Sequence, residues 1–150
     1  MLSSSASEIE YPKMFVAAGR QLFELDSNGS VLASADLGSD IHSTPAVAKG
    51  VVYVGLEDGR VVGLRAPELQ QTVFTFQSGQ AVLSSVAVVD GELYFSSQDN
   101  KLYRVAADNA ADSTVLLITG EDAAFGSSDP VVVKGWIYIG TNADTLYVVK

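Results

Sequence analysis

The tightest constraint on this chain is a cassette that returns at nearly regular intervals. It consists of an apolar run, a two-residue turn ending in glycine, a β-branched run carrying a tyrosine, a polar loop and a third apolar run. The fullest version is Ile41 to Leu64, IHSTPAVAKGVVYVGLEDGRVVGL, and looser versions are Ser84 to Val105 (SSVAVVDGELYFSSQDNKLYRV) and Ser128 to Val149 (SDPVVVKGWIYIGTNADTLYVV). The turn pairs Lys49-Gly50, Asp90-Gly91 and Lys134-Gly135 align, and the third residue after each glycine is Tyr53, Tyr94 or Tyr138. Nine residues further on stand Val62, Tyr103 and Tyr147, whereas the copies themselves are 41 and then 44 residues apart. A constant inner spacing with a drifting outer one is what a fixed hairpin core joined by tolerant surface loops produces.

Within the fullest copy, strands are predicted at Thr44 to Ala48, Val51 to Gly55 and Arg60 to Leu64, with Gly, Asp and Asn supplying the positive φ angles of the turns. A fourth strand follows at Gln71 to Gln77 (QTVFTFQ), after turn chemistry at Ala66-Pro67-Glu68. The next copy has its fourth strand at Thr114 to Thr119, beyond a polar turn DNAADS, and the last copy stops after its third strand. Upstream a worn first copy aligns with Pro12-Lys13 at the turn, Met14 to Ala18 and Gln21 to Leu25 as second and third strands, and Ser30 to Leu37 as the fourth. In that alignment Val16 takes the tyrosine position and the intervening loop is two residues shorter than elsewhere. The copies span about 7–37, 38–78, 79–119 and 120–150, and the Ser-rich residues 1–6 read as a disordered leader.

No stretch shows helical periodicity. The expected fold is therefore all-β: about four four-stranded antiparallel sheets in series, the last incomplete, which is the sequence signature of a β-propeller.

Composition narrows function by exclusion. Hydrophobic residues at 47% over 150 positions can bury a core, and the formal charge of −9 repels phosphate backbones, so no nucleic-acid partner is expected. The absence of cysteine removes disulfides, thiolate metal sites and cysteine nucleophiles. No apolar run reaches the length of a membrane span, and the leader lacks the charged start and apolar middle of a signal peptide.

The pattern SxPAVxxGxVYVGxxDGxxxxL at Ser43 to Leu64 resembles the quinoprotein-like, or PQQ-like, propeller repeat, and the two later copies match more loosely. That family includes quinone-dependent alcohol and sugar dehydrogenases as well as non-catalytic scaffolds of outer-membrane assembly that bind partner proteins. The chain departs from the enzymes of the family in two respects. It has one tryptophan, Trp136, where they carry one in nearly every repeat, and it has no cysteine for their vicinal disulfide. The resemblance thus implies a non-enzymatic scaffold for protein partners, with no cofactor, and favours a periplasmic or extracellular setting. The alternatives are part of a quinone-dependent dehydrogenase and a carbohydrate or small-ligand sensor module. Family rings commonly have seven or eight blades, so four blades imply half of an eight-bladed ring. Bare apolar faces at both ends then call for closure by a second copy in a homodimer, the favoured reading, by curling into a small four-bladed ring, or by the rest of a longer protein.

The sequence singles out no catalytic, cofactor-binding or metal residue. His42 is the only histidine, which excludes a multi-histidine metal centre within one chain. It precedes a first strand, near the channel mouth of a propeller, so that Asp40 and His42 are candidate ligand-binding residues; the competing reading is a partly exposed loop histidine. Glu121, Asp122 and Asp129 in the longer loop GEDAAFGSSDP are candidates of the same kind, against solvated loop acids. Ser43, Ser84 and Ser128 occupy one equivalent position, which argues for a structural bond repeated in each blade.

Overall fold

The structure is a computed structural model and describes residues 13–150. It contains four antiparallel sheets in chain order. Blade 1 holds β1 (Met14–Ala18), β2 (Gln21–Leu25) and β3 (Val31–Asp36). Blade 2 holds β4 (Ala46–Ala48), β5 (Val51–Gly55), β6 (Arg60–Arg65) and β7 (Thr72–Gln77), paired in that order. Blade 3 holds β8 (Ala87–Val89), β9 (Glu92–Ser97), β10 (Lys101–Ala106) and β11 (Asn109–Ile118). Blade 4 holds β12 (Val131–Val133), β13 (Trp136–Gly140) and β14 (Leu146–Val149). The expected first strand of blade 1 and the Ser-rich leader lie outside the described residues. Among those described, no helix is long and apolar enough to cross a membrane.

The cassette turns explain the register. Lys49 and Gly50 have φ of 49° and 74°, Asp90 and Gly91 52° and 83°, and Lys134 and Gly135 50° and 79°. Two consecutive positive φ angles make the type I′ turn, whose twist matches that of the flanking strands, and glycine at the second position removes the steric cost. The first-to-second-strand pairs then fall into the same register in three blades: Ala46 opposite Tyr53, Ala87 opposite Tyr94 and Val131 opposite Tyr138.

Strand residues alternate between the two faces of each sheet, and three apolar clusters fill the gaps between successive blades. Leu22, Phe15 and Ala17 of blade 1 meet Val52, Val54 and Leu64 of blade 2. Tyr53, Val61 and Phe74 of blade 2 meet Leu93, Phe95, Tyr103 and Val105 of blade 3. Tyr94 and Leu102 of blade 3 meet Ile137, Ile139 and the loop residue Phe125 of blade 4. Aromatic edges lock the second gap: Tyr53 lies edge-on to Phe74 at 5.8 Å, and Phe76 edge-on to Phe95 at 5.6 Å. Gly63 is required there, because an added Cβ would sit 2.8 Å from the Tyr53 ring.

Two expectations need correction. The first copy is displaced by one residue, since Phe15 pairs with Glu24 as Tyr53 pairs with Gly63 and Tyr94 with Arg104. Phe15, not Val16, therefore holds the tyrosine position. The loop is one residue shorter than in the other copies, not two, because Phe15 to Phe23 replaces Tyr53 to Val62. A one-residue slip exchanges the faces of the strand, so Val16 points away from blade 2. The DNAADS segment is also mostly strand. The chain turns at Ala107 and Asp108, Asn109 already pairs with Ala106, and residues 110–112 bulge before Ser113 meets Val105.

Candidate functional site

Antiparallel pairing places the second-to-third-strand loops and the blade-to-blade linkers at one end of the molecule, and they are stitched together identically in three blades. Glu57 N–H donates to the Asp40 carbonyl, Gln98 N–H to Ala81 and Asn142 N–H to Ala124, each at 2.9 Å. In blade 2 a bridge between Ile41 and Leu56 and a bond from Asp58 N–H to Ser39 Oγ (3.1 Å) add to this tie.

Two of the three repeated serines, Ser43 and Ser84, perform the structural job expected of them. Ser43 Oγ accepts from Gly55 N–H at 2.9 Å and donates to the Gly55 carbonyl at 3.2 Å; Ser84 does the same with Ser96 at 3.0 and 3.1 Å. One hydroxyl thus satisfies a buried donor and acceptor where the linker meets the second strand. The following residue connects blades. Thr44 N–H donates to Ser85 Oγ at 3.1 Å, and Ser85 N–H to Asp129 Oδ1 at 2.6 Å. Asp129 is therefore held in a link between the blade 3 and blade 4 linkers.

Of the other candidate residues, Glu121 and Asp122 sit in a single 3-10 turn, Glu121–Ala123, that contains no buried residue. Asp40 and His42 do come together, and Glu57, which the sequence reading did not single out, joins them. His42 Nε2 lies 3.6 Å from Glu57 Oε2, and one donor atom from each of the three residues falls within 4.8 Å of the others. Among the described residues this is the one such histidine and carboxylate group. All three side chains are exposed. The missed signal was positional: Glu57 occupies the loop site filled by Gln98 and Asn142 in the next two blades, and only in blade 2 does an acid stand there.

A second acid, Asp99, is a buried organiser. Its Oδ2 accepts from Gly79 N–H at 3.0 Å and from the Tyr103 hydroxyl at 2.5 Å, and its Oδ1 from Lys101 N–H at 3.2 Å. Burial raises the Tyr103 pKa far above the usual phenol value, and the bond to Asp99 and that carboxylate's charge raise it further. Burial also raises Tyr53 and Tyr94, and the charge on Glu92 adds to the effect on Tyr94.

At the opposite end a cleft of about 840 Å³ opens between blades 2 and 3. Its polar lining is Lys49, Asp90, Glu92, Asp108 and Asp112, with Tyr53 at its apolar side. Four carboxylates against one ammonium make it a place for cationic rather than anionic groups.

The family model for outer membrane protein assembly factor BamB (PQQ_2) matches residues 9–72, which includes the fullest cassette. The resemblance to quinoprotein-like repeats is borne out. BamB from Moraxella catarrhalis superposes with a TM-score of 0.75 at 14% identity, covering 91% of this chain and 45% of its own. The chain thus spans less than half the length of that protein. The computationally designed Ika4 protein superposes with a TM-score of 0.71 at 14% identity, covering 92% of this chain and 86% of that one. These likenesses establish the propeller fold. No curated protein matches the chain.

Proposed function

We propose that the protein is a non-enzymatic β-propeller scaffold for protein partners and that two copies close one eight-bladed ring. A comparison of equivalent positions carries the ring closure. Leu22, Val61 and Leu102 occupy the same third-strand site in blades 1 to 3 and are each 0% exposed, whereas Leu146, their counterpart in blade 4, is 66% exposed. The side chain is equally apolar; what differs is whether a following blade covers it. The reverse holds at the other end. Val52, Leu93 and Ile137 are buried against the preceding blade, while Met14, which stands at their position in blade 1, is 45% exposed. Val131, Val133, Trp136, Tyr138 and Val148 extend the bare face of blade 4, and Val16, Val31 and Leu32 that of blade 1. A forward face and a rear face built to the same repeat are mutually complementary, and a two-fold axis joins them twice.

The match to an outer membrane protein assembly factor and the ties that hold the linker end rigid support the scaffold reading. Light scattering on the purified chain tests the assembly, with a mass twice the 15.8 kDa of one chain expected. A photo-crosslinking residue at Ser127, on the linker end, tests partner binding in the native cell: adducts with a second protein are expected there and not from Thr75 on an outermost strand. A monomeric mass refutes ring closure, and the absence of position-specific adducts refutes the scaffold assignment.

A further inference from the structure

We propose that Asp40, His42 and Glu57 form a binding site for a divalent first-row transition ion of the zinc, cobalt and nickel class. Repetition makes it possible to separate what the fold needs from what is particular to this site. The backbone tie between the second-to-third-strand loop and the linker recurs unchanged in blades 3 and 4, from Gln98 to Ala81 and from Asn142 to Ala124. The side chains at these places are therefore not needed to hold the loops together. At the three positions blade 3 has Ala81, Leu83 and Gln98, and blade 4 has Ala124, Ser127 and Asn142; neither set can coordinate as blade 2's does.

The donors are also unoccupied by other work. Asp36, Asp58, Asp99 and Asp129, acids in comparable loops, each accept hydrogen bonds from a guanidinium, a hydroxyl or backbone N–H groups. The carboxylates of Asp40 and Glu57 and the His42 ring have no hydrogen-bond partner among the described residues, and the sole contact between them is the approach of His42 Nε2 to Glu57 Oε2. That separation of 3.6 Å is longer than a hydrogen bond. It is close to the edge of roughly 3.3 to 3.5 Å between two donors on one tetrahedral ion, given bond lengths of about 2.0 to 2.2 Å. Asp40 lies on the linker side, within the 4.8 Å span of the trio. Because the linker and loop are pinned at 2.9 Å by the Glu57 to Asp40 backbone bond, two ligands are presented from a rigid base and only side-chain rotation is needed to close the third.

One imidazole with two carboxylates selects by chemistry. Carboxylates alone suit calcium and magnesium, while an imidazole nitrogen favours zinc, nickel or cobalt, with water completing the coordination. All three ligands belong to one blade of one chain, so the site depends neither on ring closure nor on a protein partner.

The test uses the whole chain without a histidine tag. Calorimetric titration with Zn²⁺ should give one ion per chain, and Co²⁺ should give visible ligand-field bands together with a paramagnetic shift of the single histidine resonance. His42→Ala and Glu57→Gln should each weaken Zn²⁺ binding at least about tenfold, since loss of even an outer-sphere partner commonly costs that much. Asp144→Asn, which removes the same charge from an exposed loop acid of blade 4, should leave it unchanged. No saturable binding, an unshifted histidine resonance, or equal affinity in His42→Ala would overturn the assignment. So would Ca²⁺ binding as tightly as Zn²⁺.

Discussion

Replacing Leu146 by Asp separates the stability of one chain from that of the ring. In the isolated chain Leu146 is 66% exposed on the outer face of blade 4, so the change touches no interior contact of consequence. Its cost to folding should stay within about 1 kcal/mol, the spread of strand preferences at a surface position. In the ring the same side chain would be as enclosed as Val61 and Leu102, both at 0%. Fully burying a leucine yields about 1.5 to 3 kcal/mol, and roughly two-thirds of that remains to be gained when the next blade arrives. A carboxylate there forgoes this gain and must also be dehydrated against an apolar face, at a cost of several kcal/mol. About 4 kcal/mol per interface, counted at two interfaces, is on the order of a millionfold in the dimer dissociation constant. Sedimentation equilibrium should therefore show the unsubstituted chain as a dimer at low micromolar concentration and Leu146→Asp as a folded monomer, with an almost unchanged thermal midpoint measured on the monomer. A Leu146→Asp protein that stays dimeric, or one that unfolds, contradicts the argument.

The remaining predictions probe the interior. Ser84→Ala leaves the buried Ser96 N–H without its acceptor and should destabilise the fold by about 1 to 3 kcal/mol in denaturant titration, whereas Ser84→Thr, if the methyl is accommodated, should recover part of the loss. Alkaline pH should also destabilise the protein through Tyr103. Its folded-state pKa is raised above the ordinary value near 10, so the stability it contributes is complete below pH 10 and is lost as pH rises beyond it, where the unfolded chain releases a proton that the folded chain keeps. Denaturant midpoints at pH 8 and pH 11 should fall less for Tyr103→Phe than for the unsubstituted chain.

The parts of the fold that were legible in the sequence are those in which local chemistry and long-range packing demand the same residues. The Lys-Gly and Asp-Gly turns set I′ geometry by themselves, and the tyrosine three residues on reports the face turned toward a following blade, so the second and third strands of blades 2 to 4 could be placed almost to the residue. The linker serine was legible for the same reason, because the same pair of bonds is made by Ser43 and by Ser84. Glu57 was not, since its importance lies in a contact with Asp40 and His42 across a loop pairing that sequence spacing does not display. Blade 1 failed for want of punctuation: Pro12-Lys13 carries no glycine to fix the count, and Phe15 and Val16 are both plausible on an inward face. That ambiguity has a measurable consequence. With Val16 at the tyrosine position, Val16→Asp would place a charge between blades 1 and 2 and unfold the chain. In the register of the structure, Val16 is instead the counterpart of Val54, Phe95 and Ile139, which pack against a preceding blade, and it is 43% exposed because no described blade packs on that face. Val16→Asp should then behave as Leu146→Asp does, folded yet monomeric, and mixing the two variants should not restore a closed ring, because one junction of a mixed ring carries no substitution while the other buries both charges against each other.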